Sequence, residues 1–340
     1  MCLTEPHAGS DLGRVHTKAH PTTDAQFRIN GTKIFISGGE HDLTDNIVHL
    51  VLARLPEAPP GPKGLSLFLV PKFYNDGTRS AVYCERIEEK MGIHASPTCV
   101  MRFDDALGWM VGEANKGLNA MFIMMNAARL HVALQGVGLL DAAWQKANAY
   151  AHERRQMRAP KAYGTQNSNS QDHQGPDLII EHPAIRRVLD TQRAWIDTSR
   201  VLAYETSLAL DIAKHHPDTN QREAANRWCA LVTPVLKSAC TDQGFHGASE
   251  CLQVFGGHGY IREWGIEQHV RDARIAMIYE GTNEIQALDL LMRKVLVDGG
   301  ANLFQLCDQL ILDIDGTETD GAHAITQLNH LRAITAQAIE

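Results

Sequence analysis

Two hydrophobic periods divide the chain. Up to about residue 113, apolar positions alternate or form short runs between Pro, Gly and Asp clusters, as strands do. Phe27 and Ile29 precede Asn30-Gly31, and Ile34 and Ile36 follow it, which predicts a hairpin turn at the Asn-Gly pair. Segments 47–54, 65–71, 82–87 and 98–103 read as further strands, with a proline-rich loop over 56–62. Together they predict a small antiparallel β-barrel. After Gly117 the period becomes helical. Leu118, Phe122, Met125, Val132, Leu139, Ala143 and Tyr150 trace one face about forty residues long, stopped by Pro160. Residues 161–178, rich in Asn, Gln, Ser and Gly, read as a mobile surface loop. A second helix runs from near Pro183 through Trp195, Leu202 and Leu208 to about Lys214, with His215-His216-Pro217 at its end. A third covers about 222–255, bent at Pro234. A fourth follows Asn283, carries Ile285, Leu288, Met292 and Val295 at helical spacing, and ends at Gly299-Gly300. The expected fold is α+β: a β-barrel domain over 1–113, a four-helix bundle over 114–299, and a weakly helical extension over 300–340.

Composition narrows the classes of function. A chain of 340 residues suits two packed units. The net charge is −8, with Lys and Arg scattered, which argues against a nucleic-acid partner. Seven cysteines, an odd number without C-x-x-C pairing, offer no disulfide framework and suit a reducing, cytoplasmic setting. Seventeen histidines show no zinc-ligand spacing, so no metal site is expected. Apolar runs such as 47–53 are too short to span a bilayer, and no signal-peptide pattern is present. Asn30-Gly31-Thr32 matches a glycosylation acceptor, but the hairpin turn is the better account without secretion.

The chemistry concentrates at Tyr279-Glu280-Gly281-Thr282-Asn283-Glu284-Ile285-Gln286. Ile275, Met277 and Ile278 read as a buried run, so Glu280 leaves the interior on a glycine turn. Asn283 and Gln286 have the spacing of an N-cap and its reciprocal partner. A carboxylate in that place suits a general base with a raised pKa; the plainer alternative is a Glu complementing a helix N-terminus. Gly256-Gly257-His258-Gly259 follows a helix rather than a strand, which disfavours a Rossmann site and fits a helix C-cap. Met121, Met124 and Met125 fit either core packing or an acyl groove.

Three motifs in order carry a resemblance: Cys2-Leu3-Thr4-Glu5-Pro6-His7-Ala8-Gly9-Ser10-Asp11, Gln253-Val254-Phe255-Gly256-Gly257-His258-Gly259-Tyr260 with Arg271-Asp272-Ala273-Arg274-Ile275, and the Glu280 segment. Over roughly residues 2–297 the chain resembles the acyl-CoA dehydrogenase flavoproteins. The resemblance implies FAD as hydride acceptor, Glu280 as the base that removes the α-proton of an acyl-CoA thioester, and a Glu280 backbone N–H donating to the thioester oxygen. Some relatives carry the base directly before an arginine that matches Arg129. Here Ala128 stands there, so Glu280 is favoured. The implied flavin contacts are Leu3, Thr4, Gly9, Ser10, Phe35, Ser37, Arg154, Gln253, Gly256, Gly257, Thr282 and Glu284. Arg154 and Gln253 would serve a neighbouring subunit's FAD, in a homodimer or homotetramer. Implied substrate contacts are Ser10, Asn126, Arg129, Tyr279 and Gly281. Many relatives have an acid at Asn126, and Trp and Thr at Phe35 and Ser37.

The family places a helical domain ahead of the first motif, so the chain is expected to be truncated at its amino end. The 161–178 insertion and Met91-Gly92-Ile93-His94-Ala95-Ser96-Pro97-Thr98 resemble a larger bacterial branch that includes 3-methylmercaptopropionyl-CoA dehydrogenases, with an extra C-terminal domain. An electron-transfer flavoprotein is the implied acceptor. An oxygen-using acyl-CoA oxidase and an inactive fragment serving as an oligomerising or binding module are the alternatives.

Overall fold

The structure, a computed structural model, describes residues 1–160, 175–315 and 321–339. The chain divides into two compact units, Met1–Ala128 and Arg129–Glu340. The 161–178 loop expectation falls mostly on 161–174, outside the described residues.

The first unit holds β1 (Lys18–Pro21), β2 (Phe27–Ser37), β3 (Val48–Arg54), β4 (Leu65–Pro71), β5 (Val82–Ile87) and β6 (Thr98–Val111). The strand order is β2-β1-β3-β4-β6-β5, and β2 also pairs with β6, which closes the barrel. Closure depends on the length of β6, whose residues 98–108 line β2 while Trp109, Met110 and Val111 reach β4. Ile29, Val51, Phe68, Val70, Met101 and Phe103 fill the interior. The barrel is mixed rather than strictly antiparallel, because β1 meets β3 in parallel at Lys18 and Arg54. No tight turn joins β1 to β3, so nothing local dictates an antiparallel pairing.

The hairpin expected at Asn30-Gly31 is absent. β2 runs straight through the pair, and the actual hairpin turns between Thr22 and Gln26, joining β1 to β2. Asn30 instead sits at an irregularity opposite Asp105, donating to its carboxylate at 2.9 Å and accepting from its N–H at 2.8 Å. Gly31 is there for close approach: a Cβ would lie 2.4 Å from Thr17 Oγ1. The pattern of alternation was right; the turn chemistry served a bulge.

The helix α1 (Gly117–Glu153) starts against the barrel, where Leu118, Met121 and Met125 pack with Leu52, Leu65 and Leu67. Met121 is therefore core, while Met124 is 37% exposed. By length and mean hydropathy α1 could cross a membrane, but its apolar side chains Leu130, Ala133, Val137 and Leu140 are spent on the helical core.

The second unit contains the rest of α1 with α2 (Pro183–His215), α3 (Thr219–Val254), α4 (Ile266–Arg274), α5 (Asn283–Leu290), α6 (Ala301–Asp315) and α7 (Ala322–Ile339). Leu140, Leu189, Ile196, Leu236 and Cys251 lie in one core. α1 and α3 touch backbone to backbone, since a Cβ on Gly136 would meet the Cys240 carbonyl oxygen at 2.4 Å. Trp144 Nε1 donates to the Leu189 carbonyl at 2.9 Å, and Gln243 Nε2 donates to Gln192 Oε1 at 2.6 Å. Pro234 lies within α3 without ending it.

α4 was missed: Ile266, Val270 and Ala273 recur at helical spacing, but over only nine residues. One expectation fails here. The fourth helix is short, passing into a π-helical turn (Leu291–Val295) and a 3-10 turn (Leu296–Asp298) before left-handed Gly299. Its buried positions include Gln286 and Asp289, whereas Leu288 and Met292 are exposed. The inward face is polar because its partners are polar, as the site shows. α6 and α7 form a pair in which Arg332 bonds Asp308 and lies over Phe304.

Candidate active site

Glu280 lies on a turn between the 3-10 segment Ile275–Met277 and α5. The run ahead of it is less buried than its composition suggests: Ala276 is buried, while Ile278 is 47% exposed. Glu280 and Gly281 are successive left-handed residues, at φ +55° and +83°. A side chain at Gly281 would be strained by its φ, and its Cβ would displace the Gln286 amide, 2.7 Å away at Nε2. Glu280 has a Cβ and bears the strain, about 1–2 kcal/mol for a left-handed L-residue.

The cap of α5 differs from the sequence expectation. Thr282 is the N-cap, its hydroxyl accepting from Ile285 N–H at 3.3 Å. Asn283 is engaged by α3 instead: its Oδ1 accepts from Lys237 Nζ at 2.9 Å and Thr241 Oγ1 at 3.1 Å, and its Nδ2 donates to the Ser238 carbonyl at 3.3 Å. Gln286 reaches back to carbonyls rather than to an N–H, donating to Glu280 O at 3.0 Å and Gly281 O at 3.3 Å. Lys237 Nζ also donates to Gly281 O, at 2.8 Å. Both carbonyls of the strained pair are thus held. The N–H of Glu280 has no acceptor among the described residues. A donor left free beside a carboxylate suits an oxygen of a ligand.

The electrostatics favour a proton acceptor. Burial raises the Glu280 carboxyl above the ordinary carboxylate range, and the nearby charges of Arg129 and Lys237 offset only part of this. Burial, with help from Arg129, pushes the Lys237 ammonium down to about 8. Arg129 is buried and paired through Nη1 to Asp289 Oδ2 at 3.0 Å, while its Nε has no partner among the described residues. Tyr279 donates its hydroxyl to Gln135 Oε1, and burial raises its pKa. Sequence reasoning missed Lys237, Gln135 and Asp289. The available signal for Lys237 was a lone cation in the apolar stretch of α3 from Leu231 to Leu236.

A second group of expected residues meets at the end of α3. Arg154, Gln253, Gly256 and Gly257 line one cleft of about 500 Å³, with Tyr150, Phe255 and His258. The Tyr150 ring stacks on Phe255 at 4.3 Å, and its hydroxyl lies 2.9 Å from His258 Nδ1. Gly256 turns left-handed at φ +59°, and a Cβ on it or on Gly257 would meet nothing within 4 Å. The backbone there is open to a ligand. Arg154 has no ion pair among the described residues. An exposed guanidinium, an exposed amide and open glycine backbone are the donor set a dinucleotide's pyrophosphate and base require, so this cleft fits FAD. Glu284 fits less well. Its carboxylate is occupied by its own N–H and the Thr282 hydroxyl, which hold its pKa down, and it can only accept.

The barrel supplies the third group. Ile34 N–H donates to Thr4 O at 2.9 Å, which sets Leu3 and Thr4 beside the strand carrying Phe35 and Ser37. Phe35 is 61% exposed at φ +59°, at an irregularity of β2. A large ring presented outward on strained backbone is a platform for a flat ligand. Gly9 and Ser10 are exposed, and a Cβ on Gly9 would meet nothing within 4 Å. Beneath them is a pair that sequence reasoning missed. Lys33 Nζ, wholly buried, donates to Glu5 Oε1 at 2.9 Å and Leu3 O at 3.0 Å. Glu5 also accepts from Thr17 Oγ1 at 2.5 Å and His16 N–H at 2.7 Å. The side chain of Asn126 lies outside the described residues.

Comparison with known proteins identifies the family. Residues 1–106 match the family described as acyl-CoA dehydrogenase, middle domain, and residues 162–295 match acyl-CoA dehydrogenase, C-terminal domain. The chain is 45% identical over 333 residues to 3-methylmercaptopropionyl-CoA dehydrogenase of Ruegeria pomeroyi, covering 96% of this chain and 55% of that protein. Acyl-CoA dehydrogenase complexed with FAD from Bacillus anthracis is similar with a TM-score of 0.69 and 26% identity, over 86% of this chain and 47% of that one. Caenorhabditis elegans ACDH-11 in complex with C11-CoA shares the fold, with a TM-score of 0.81 at 24% identity over 99% of this chain and 54% of that one. The chain spans about half the length of the curated relatives it matches. With two domain matches in the family's order and Glu280 on its strained turn, the chain belongs to the acyl-CoA dehydrogenase family.

Proposed function

We propose that this chain carries the catalytic part of an FAD-dependent acyl-CoA dehydrogenase that desaturates an acyl-CoA thioester between its α and β carbons. The observation that carries the reading is Glu280, a half-buried carboxyl of raised pKa on a left-handed turn whose N–H has no acceptor among the described residues. The α-hydrogen of a thioester is a weak acid, and a carboxylate of raised pKa is a stronger base for it. The Glu280 N–H would donate to the thioester oxygen as negative charge builds there. Tyr279 and Gly281 flank the same turn, and Arg129, paired to Asp289, supplies a nearby positive charge. When bound, FAD supplies the hydride acceptor for the β-carbon. Gly256 and Gly257 would meet FAD phosphate through open backbone, and Arg154 and Gln253 would serve the FAD of a neighbouring subunit. Leu3, Thr4, Gly9, Ser10, Phe35 and Ser37 would meet FAD from the barrel, with Ser10 also near substrate. Thr282 and Glu284 offer acceptor atoms only, since both side chains already serve the start of α5.

The resemblance supports a short or medium acyl chain, with a thioether chain as one candidate beside straight chains. It also supports transfer of electrons to an electron-transfer flavoprotein and a homodimer or homotetramer. Seven free cysteines, six of them buried, support a reducing, cytoplasmic setting.

The test is anaerobic mixing of the FAD-loaded chain with straight-chain acyl-CoAs and 3-methylmercaptopropionyl-CoA, following loss of the yellow absorbance. Wild type is expected to bleach, and Glu280→Gln to bleach at least about a hundredfold more slowly with FAD retained. Near-normal bleaching in that variant would remove Glu280 as the base. Steady oxygen uptake would favour an oxidase, and a folded chain that takes up no FAD would favour a binding module.

A further inference from the structure

Lys237 is wholly buried on α3, yet among the described residues none of its hydrogen-bond partners is a carboxylate. A buried ammonium is costly, and a leucine or methionine would fill the same space without that cost. Both acceptors, Gly281 O at 2.8 Å and Asn283 Oδ1 at 2.9 Å, belong to the turn that presents Glu280. The next turn of α3 completes the attachment through Thr241 to Asn283, and Gln286 holds the adjoining carbonyls from α5. The charged groups near Lys237 are Arg129 from α1, Glu280 from the turn and Glu284 from α5. Arg129 favours loss of its proton, and Glu280 and Glu284 favour keeping it.

We infer that Lys237 is the positioning residue of this site: it clamps the Glu280–Asn283 turn onto α3 and sets a positive charge against the Glu280 carboxylate. The inference rests on the proposal that Glu280 is the base. Its two parts are separable. The hydrogen bonds hold two left-handed residues that would otherwise relax, since Glu280 at φ +55° has an extended alternative open to it. The charge opposes the effect of burial on Glu280, in the same sense as Arg129.

Three substitutions separate these parts. Lys237→Met keeps the stem and removes donor and charge, Lys237→Gln keeps a donor without charge, and Lys237→Arg keeps both. Two measurements need no substrate. One is the Glu280 titration, read by difference infrared against Glu280→Gln; the other is amide hydrogen exchange over 280–286. Lys237→Met is expected to raise the Glu280 midpoint by about one pH unit, the scale of a lost neighbouring charge. It is also expected to speed exchange at the turn by about tenfold or more while exchange in α2 stays as in wild type. Lys237→Gln should slow the exchange again but keep the raised midpoint, and Lys237→Arg should bring both back toward wild type. In the FAD-loaded chain, the acid limb of bleaching by acyl-CoA should move up with the midpoint. A folded Lys237→Met with unchanged midpoint and exchange overturns the inference. If that variant does not fold, equal Glu280 midpoints in the Gln and Arg variants overturn it. Wild type that no acyl-CoA bleaches, together with the expected shifts, refutes the dehydrogenase proposal and leaves the clamp standing.

Discussion

Arg129 on α1 and Asp289 on α5 stand 160 positions apart in sequence and meet in a 3.0 Å ion pair, with only 7% and 9% of their side chains exposed. The pair ties the helix that follows the Glu280 turn to the longest helix of the chain, and explains why α5 turns a polar face inward. Removing Asp289 leaves Arg129 buried without its ion-pair partner, whereas Asp289 also meets Arg293 at 3.4 Å. Asp289→Ala is expected to cost about 3–5 kcal/mol in chemical denaturation, and Arg129→Met with Asp289→Leu to recover most of that loss. A cost below about 1 kcal/mol for the single change would mean water reaches the pair freely.

Glu280 should cost the protein stability at neutral pH. Its folded pKa lies above its ordinary value of 4.5, so the folded state holds the proton more tightly than the unfolded chain does. That contribution is complete below 4.5 and is lost as pH rises through the raised folded value. Glu280→Gln is expected to melt higher than wild type at pH 7, with the difference shrinking at acid pH. Glu280→Gly should add about 1 kcal/mol more by relieving the left-handed backbone, at the expense of the proposed base. Melting temperatures over a pH series check this, and a difference independent of pH would contradict it.

Lys33 and Glu5 anchor the Thr4 segment to the barrel. Burial by itself would raise the Glu5 carboxyl, but Lys33 and the hydrogen bonds from Thr17 and His16 outweigh it and hold the pKa below 4.5. The stability from this group is present above 4.5 and is lost as pH falls through the lower folded value. Lys33→Met is expected to destabilise the barrel by about 3–5 kcal/mol, because Glu5 would be left buried alone. It should also remove the acid-side loss of near-ultraviolet circular dichroism assigned to Glu5. Retention of a normal denaturation midpoint would show the pair to be dispensable.

Gly136 and Gly138 form a controlled comparison on one helix. A Cβ on Gly136 would lie 2.4 Å from the Cys240 carbonyl oxygen, whereas a Cβ on Gly138 would meet nothing within 4 Å. Gly136→Ala is expected to cost about 1–3 kcal/mol by forcing α1 and α3 apart. Gly138→Ala should stabilise by up to about 1 kcal/mol through helix propensity. Denaturation of both variants measures the pair, and equal effects would show that the helices separate easily.

Arg154→Ala is expected to weaken FAD binding by about tenfold or more, the scale of one lost charge-assisted contact, with helical circular dichroism unchanged. Flavin fluorescence titration measures the affinity, and sedimentation shows whether retention follows oligomer formation. A monomer that holds FAD tightly in this variant would assign the arginine elsewhere.

Much was legible in the sequence because it is encoded locally. The bounds of β4, β5, α2 and α3 follow from runs of apolar residues and from punctuation such as Pro183 and His215-His216-Pro217. Glu280 stood out as a candidate because a carboxylate, a glycine and a helix start sit within a few residues, and because three motifs occur in the order of a known family. The α1 stripe overshot only at its end, where the helix stops at Glu153 ahead of Pro160.

What failed depends on partners distant in sequence. Asn30-Gly31 has the composition of a hairpin turn, but its fate was decided by Thr17 and Asp105 across the barrel. Asn283 has the composition of an N-cap, but Lys237 and Thr241, more than forty residues earlier, claim its side chain and leave the cap to Thr282. Local sequence determined which segments are strands and helices, the carboxylate and the glycine of the turn. Only the tertiary structure decided that Glu280 is left-handed, that both neighbouring carbonyls are held, and that Lys33 and Lys237 are buried, because each outcome balances desolvation and strain against contacts that exist only once the chain is packed.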